Sequence, residues 1–342
     1  MTDSSEHSNS AGDRRLTALR EWLRPRFGDV DLLPASADAS FRRYFRFHHD
    51  GDSFIVMDAP PGQEDSRPFV DIAGRLAAAG VHVPDILATD FDQGFLLLSD
   101  LGDSAYLQAL NESNAAPAVR RRYFRRFSQC RTAADDRGLP IYDHERLMQE
   151  LRLFPEWYLR RHLQIEPDSD EAALLNEMFA LLVERALQQP RVFVHRDYMP
   201  RNLMVSCPNP GVLDFQDAVS GPISYDPVCL FRDAFISWPQ PRVTEWLRDY
   251  WLRARDRGLP VPPAWEDFQV DLDWMGLQRH LKVLGIFARI CYRDGKPHYL
   301  EDAPRFIGYI MEVLPHYPQL APLRHLFEQR VLPATAAGGV AG

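Results

Sequence analysis

The stretch Val192-Phe193-Val194-His195-Arg196-Asp197-Tyr198-Met199-Pro200-Arg201-Asn202-Leu203-Met204-Val205, followed by Gly211-Val212-Leu213-Asp214-Phe215-Gln216-Asp217, decides the reading of this chain. Val192–Val194 is a short apolar run of strand composition. It opens into a loop that carries a histidine, an aspartate and, five residues after the aspartate, an asparagine. Two further short strands follow, and Asp214 closes the second. A lone histidine or aspartate in a loop usually serves a turn or a strand end. An ordered set, with an apolar strand before each half, carries more weight because its context fits.

That order of parts is the one phosphoryl transfer requires, where catalysis is mostly positioning and neutralisation of phosphate charge. Asp197 is placed to orient an attacking hydroxyl and take its proton. Asn202 offers an amide oxygen without added charge and Asp214 a carboxylate, the hard oxygen ligands that Mg²⁺ takes. His195 reads as a group that pins the loop by hydrogen bonds.

Upstream the pattern is α+β. Arg14–Phe27 has Leu16, Leu19, Trp22 and Leu23 on one helical face. Phe41, Arg43, Phe45 and Phe47 then alternate with Arg42, Tyr44 and Arg46, Asp50-Gly51 supplies a turn, and Ser53–Met57 returns as a strand. A helix over Arg67–Ala79 and strands over Val81–Ala88 and Phe95–Leu98 complete an antiparallel lobe at residues 13–102. Beyond it, helices are expected at Ala105–Leu110, Pro117–Arg137, Asp143–Ile165, Ser169–Gln189, Val243–Gly258 and Phe268–Arg293, so residues 103–333 form a mostly helical lobe. Residues 1–12 and 334–342 read as disordered tails.

Composition narrows the function classes. A net charge of −9 argues against a nucleic-acid footprint, which needs a basic face. No apolar run reaches the length of a membrane span, and the polar N-terminus has no secretory h-region, so a cytoplasmic protein is expected. The four cysteines form no C-x-x-C pair, which disfavours a disulfide framework or a zinc site. Nothing in the sequence points to an obligate protein partner. Only Lys282 and Lys296 are lysines among 39 basic residues, so any role for a lysine has two candidates.

The motif, the small lobe before it and the helical lobe around it resemble the aminoglycoside phosphotransferase/choline kinase superfamily, relatives of the protein kinases, over about residues 14–333. Ser40–Arg46, Met57–Pro61, Arg67–Phe69, Leu98–Asp103, Glu150–Phe154 with Trp157, and His195–Met204 are most similar to one branch, the bacterial cell-wall amino-sugar kinases. The resemblance implies a protein-kinase-like two-lobed fold, with ATP and Mg²⁺ as cofactors and Asp197 as catalytic base. It implies Asn202 and Asp214 as metal ligands, a hinge for adenine around Leu98, Ser99 and Leu101, and a bracing position at Asp226. The implied acceptor is the anomeric hydroxyl of N-acetylmuramate or N-acetylglucosamine, which places the reaction in cell-wall sugar recycling. An aminoglycoside, choline or homoserine as acceptor, and a catalytically silent kinase-like binding protein, are the alternatives.

Two features depart from the kinase pattern. The segment Pro34–Ser40, expected to cover the phosphates, contains no glycine, and the strand Phe54–Asp58 lacks the phosphate-binding lysine. Arg42, Arg43 and Arg46 are the candidate replacements, since guanidinium matches phosphate geometry. Arg43 shares its face with Phe41, Phe45 and Phe47, whereas Arg42 and Arg46 lie on the other. Glu150, Gln278, Arg279 and Lys282 are candidate acceptor contacts, with a solvated helix face the competing reading for the last three. The stripe Leu151, Phe154 and Tyr158 reads as helical core.

Overall fold

In a computed structural model that describes residues 4–36, 41–111 and 134–338, the chain divides into two units. The first comprises Met1–Tyr106 with Leu203–Asp217, the second Leu107–Asn202 with Ala218–Gly342. The chain passes from the first unit to the second after Tyr106, and residues 203–217 return to the first. The cause of that return is backbone pairing: Val205 N–H donates to the Ser104 carbonyl at 2.8 Å, and Val212 N–H to that of His82 at 2.8 Å.

The first unit carries a five-stranded antiparallel sheet of order β1-β2-β3-β5-β4, formed by β1 (Leu33–Ser36), β2 (Arg43–His49), β3 (Asp52–Asp58), β4 (Ile86–Asp90) and β5 (Phe95–Ser99). The register pairs Phe45 with Val56 and Val56 with Leu97, so these residues share one face. Helix α1 (Ser4–Phe27) covers that face through Leu19 and Leu23, which are fully buried. Each such aliphatic or aromatic side chain contributes about 1.5–3 kcal/mol by leaving water. Tyr44, Arg46, Ile55, Met57, Leu96 and Leu98 alternate onto the opposite face. The two-residue Asp50-Gly51 turn joins β2 to β3 with positive φ at both positions, 51° and 88°, the twist that suits a hairpin. Gly94, in the β4–β5 turn, has no room for a side chain, because a Cβ would lie 1.9 Å from the Ala59 carbonyl oxygen.

Several expectations are corrected here. α1 begins at Ser4, well before Arg14, so most of the supposed tail 1–12 is helical: extending an existing helix adds one hydrogen bond per residue even when the side chains are polar. β1 was not foreseen; Pro34 disguises it, and an edge strand tolerates a proline. The segment expected to cover the phosphates is therefore strand as far as Ser36, and 37–40 lie outside the described residues. Phe41 is exposed rather than core-facing, since β2 starts at Arg43. Of Val81–Ala88 only Ile86–Ala88 is strand, because Pro84 interrupts the ladder and the His82 backbone is committed to Val212.

The second unit is helical, with α4 (His144–Leu153), α5 (Ser169–Gln188), α6 (Tyr225–Phe231), α7 (Gln240–Asp256), α8 (Trp265–Asp294), α9 (Ala303–Val313) and α10 (Ala321–Leu326); α3 (Tyr106–Ala109) spans the division. α8 is the central element, packed on α4, α5 and α9. Gly285 lets it pass α4 closely, since a Cβ there would come 2.4 Å from the Leu153 carbonyl carbon. α4 continues as a wide π-helical segment, Phe154–His162, where Pro155 has no N–H to donate. Leu151, Phe154 and Tyr158 are buried core, and Phe154 stacks on Phe327 at 5.6 Å. The short strands β6 (Arg191–Val194) and β9 (Val219–Pro222) pair antiparallel in this unit.

Most of the helix expected over Pro117–Arg137 lies outside the described residues, and Asp135, Asp136 and Arg137 are not helical, with Arg137 N–H donating to the Asp135 carboxylate. At the C-terminus the expected tail is helical from Leu332 to Gly338, consistent with its alanine content. Among the described residues no helix is long and apolar enough to cross a membrane.

Candidate active site

In the second unit β6 runs straight into the candidate catalytic loop, His195–Asn202. The Asp226 carboxylate, at the start of α6, accepts the backbone N–H of His195 at 2.9 Å and of Arg196 at 3.0 Å. This clamp holds Arg196 in a left-handed conformation, φ 75°, that a non-glycine residue rarely adopts. His195 is buried, and its Nδ1 accepts the Asp197 N–H at 3.2 Å. The Asn202 side-chain amide donates to the Asp197 carbonyl at 2.9 Å, and Met199 N–H donates to the same oxygen at 2.9 Å. The loop is thus closed on itself through the backbone of Asp197. Its carboxylate is half-buried and takes no hydrogen bond among the described residues.

Beneath this loop lies a layer of buried charge. Glu150 Oε1 accepts the Arg196 guanidinium at 2.6 Å and Lys282 Nζ at 2.8 Å, while Oε2 takes the Tyr142 hydroxyl and, more distantly, Gln278 Nε2 at 3.4 Å. Lys282 also donates to the Tyr225 hydroxyl at 3.1 Å. Burial alone would raise the Glu150 carboxyl, but the charges of Lys282 and Arg196 outweigh it and hold the pKa below the usual value. Burial likewise pushes the Tyr142 phenol well above its ordinary value, so it remains a neutral donor. On the other side Cys229 donates its thiol to the Arg196 carbonyl at 2.9 Å, and Arg279 Nε donates to the sulfur at 2.9 Å. Burial pushes that thiol up to about 12, so it stays protonated.

This packing corrects the reading of α8. Gln278, Arg279 and Lys282 are not a solvated face; all three are buried, as is His280 between them. With Glu150 they bond to protein groups that support the catalytic loop. Tyr142, Tyr225 and Cys229 escaped the sequence reading. Their only signal was proximity, since Tyr225 and Cys229 share the short helix of Asp226.

In the first unit β7 (Leu203–Met204) and β8 (Gly211–Val212) form the hairpin that presents Asp214. Asp214 is also left-handed, φ 62°, and its carboxylate accepts Gln216 Nε2 at 2.9 Å. Phe215 is fully buried and lies against Phe69 of α2 (Arg67–Ala78), ring centroids 4.8 Å apart. In the hinge segment, Ser99 N–H donates to the Asp85 carbonyl at 3.0 Å while its Oγ accepts Asp85 N–H at 2.8 Å. Leu98 and Leu101 are buried, and Gly211 gives Leu101 room, since a Cβ there would be 2.8 Å from Leu101 Cδ1.

Each of the three candidate arginines reaches a carboxylate. Arg42 pairs with Glu64 at 2.9 Å. Arg43 pairs with Asp58, whose buried carboxylate also takes Arg15 of α1. Arg46 grips Asp100 with Nε at 2.6 Å and Nη2 at 3.1 Å. Burial would raise the Asp100 carboxyl, but bonds from Arg46 and Ser53 hold it low.

Residues 31–266 match the model of the phosphotransferase enzyme family. The chain is 56% identical over 301 residues to a Pseudomonas aeruginosa N-acetylmuramate/N-acetylglucosamine kinase, covering 87% of this chain and 88% of that one. It is 51% identical to the Pseudomonas putida protein of the same name, over 93% of this chain and 97% of the relative. Among solved structures, a choline kinase from Streptococcus pneumoniae superposes with a TM-score of 0.62 at 12% identity, covering 87% of this chain and 99% of that one. An ADP-bound aminoglycoside phosphotransferase gives 0.58 at 13% identity, covering 85% and 97%. The structural neighbours show the α+β kinase-like fold, and the match over most of the sequence shows that the chain belongs to the phosphotransferase enzyme family.

Proposed function

We propose that this protein is an ATP-dependent N-acetylmuramate/N-acetylglucosamine kinase that transfers the γ-phosphoryl group to the anomeric hydroxyl. The observation that carries the reading is the near-full-length likeness to kinases named for these two sugars. The product, a sugar 1-phosphate, is the form that a nucleotidyltransferase consumes, which fits recycling of cell-wall sugars in the cytoplasm.

Asp197 is the base. Its backbone is fixed by Asn202 and Met199, so its carboxylate is presented to the acceptor hydroxyl in a set direction. The anomeric hydroxyl is more acidic than an ordinary alcohol, so the proton reaches Asp197 late in the transfer. His195 orients the loop from below and does not exchange that proton. Adenine lies against the hinge at Leu98, Ser99 and Leu101; with Ser99 N–H spent on Asp85, the Ser99 carbonyl and the Leu101 backbone are the groups left to read it.

The residues present suit Mg²⁺. Asn202, whose nitrogen donates to the Asp197 carbonyl, would hold the ion through its amide oxygen, and Asp214 would add an anionic oxygen from a left-handed turn position. When bound, the ion neutralises charge on the transferred phosphate.

Release of ADP tests the assignment, measured with N-acetylmuramate, N-acetylglucosamine, an aminoglycoside, choline and homoserine as acceptors. The two amino sugars should stimulate it strongly. Turnover on choline or the aminoglycoside alone would reject the acceptor.

A further inference from the structure

We infer that Arg42, held by Glu64, is the cation that meets the ATP phosphates in place of the missing strand lysine, and that Arg46 instead positions the adenine hinge. The inference rests on the ATP-kinase reading above.

The strand register separates the three arginines. Arg43 pairs with Asp58 across β2 and β3, on the face covered by α1, and its guanidinium lies over Phe45 at 5.6 Å. Asp58 is completely buried and shared with Arg15, so Arg43 closes the edge of the α1 core. Arg46 belongs with Tyr44 on the opposite face, and Tyr44 is the register partner of Met57, while Arg42 precedes the strand. That is the face on which a kinase strand would carry its lysine, at the end of β3.

Arg46 lies opposite Ile55, away from that end, and every contact it makes leads to the hinge. Besides gripping Asp100 it donates to the Gly102 carbonyl at 2.9 Å. The same Asp100 carboxylate accepts the Gly102 N–H at 2.9 Å and the Ser53 hydroxyl at 2.6 Å. The backbone of Asp100–Gly102 is therefore held in a closed set of hydrogen bonds centred on Arg46, immediately after the residues assigned to adenine.

Arg42 lies at the other end, just before β2, and its side chain is largely buried. Its partner Glu64 sits three residues before α2, whose Phe69 packs on Phe215, the residue after Asp214. One continuous set of contacts within the first unit thus links the Arg42 guanidinium to the proposed metal ligand. Kinases use a lysine on the strand and a glutamate on the following helix for the same purpose. Here the cation stands just before the neighbouring strand, and the glutamate on the approach to the helix. Arginine adds a bidentate fork suited to phosphate oxygens.

Calorimetric titration of the full chain with ATP, ADP and adenosine separates the two roles, because adenosine has no phosphate. Arg42→Ala should weaken ATP and ADP by about 10- to 100-fold, the span for a lost charge-assisted contact, and leave adenosine within about twofold. Arg46→Ala should weaken adenosine and ATP by the same factor. Glu64→Gln keeps both arginines and tests the holder; ATP should weaken by several-fold with adenosine unchanged, and this variant decides the question if Arg42→Ala does not fold. The assignment is overturned if Arg42→Ala or Glu64→Gln leaves ATP at wild-type affinity, or if Arg46→Ala weakens ATP but not adenosine. A wild-type protein that binds ATP no better than adenosine would instead overturn the ATP-kinase reading, and this inference with it.

Discussion

Glu150 and Lys282 form a buried ion pair, 2.8 Å between Oε1 and Nζ, and the same carboxylate oxygen takes the side chain of Arg196 in the catalytic loop. A buried pair of this kind contributes little net stability when intact, yet removing one partner strands the other. Glu150→Gln should therefore lose about 3–5 kcal/mol of folding stability, read as a lower urea midpoint. It should also lower kcat, because Arg196 loses the anchor of its side chain. A variant as stable as wild type would mean that Lys282 and Arg196 find other partners.

The same pair predicts a pH response. The Glu150 carboxyl is depressed in the folded protein, so its contribution is complete above the unfolded value of about 4.3 and vanishes as pH falls through the folded value. Lys282 behaves in the opposite sense. Burial would lower its pKa, but Glu150 raises it above the ordinary value, so its contribution is complete below about 10.4 and is lost as pH rises through the folded value. As pH drops from 6 to 3, urea midpoints should fall more steeply for wild type than for Glu150→Gln. Parallel curves would remove Glu150 from the acid response.

Asp226 makes the second prediction about the loop. Its two oxygens accept the N–H groups of His195 and Arg196, and asparagine can replace only one of them as an acceptor. Hydrogen bonds to a charged group are worth about 1.5–3 kcal/mol, so Asp226→Asn should lower kcat by at least tenfold with ATP affinity little changed. A rise in the KM for ATP with kcat intact would point away from a brace.

What the sequence made legible follows from chemistry that stays local. His195, Asp197, Asn202 and Asp214 stand out because their order and the strands around them are visible along the chain. The Asp50-Gly51 hairpin is legible for the same reason. Lys282 and Arg279 are not, because whether a cation on a helix is solvated depends on what packs against it. On α8 nearly every side chain from Asp271 to Gly285 is buried, so no polar face is left to read. β1 was hidden by Pro34, and the polar turns of α1 before Arg14 by a composition that also suits a tail. The three arginines are recognisable as a group, but their different carboxylate partners, Glu64, Asp58 and Asp100, are visible only in the structure.

Asp214→Asn should nearly abolish turnover at limiting Mg²⁺ and recover in part at high metal, since a carboxylate's charge dominates binding of a hard cation. Mg²⁺ dependence of the initial rate is the measurement. Near-normal rates at limiting metal would take Asp214 out of the site.

The central claim is transfer to the anomeric oxygen with Asp197 as base. Asp197→Asn keeps the shape of the side chain but cannot accept the proton, so kcat should fall about 10²–10⁴-fold while sugar affinity stays near wild type. The most direct test is ³¹P and ¹H NMR of the products formed from ATP with N-acetylglucosamine, N-acetylmuramate and their methyl glycosides. The free sugars should give the 1-phosphate, and the methyl glycosides, blocked at that oxygen, should accept no phosphate. Phosphorylation of a methyl glycoside at another hydroxyl, at a rate near that of the free sugar, would contradict the anomeric assignment.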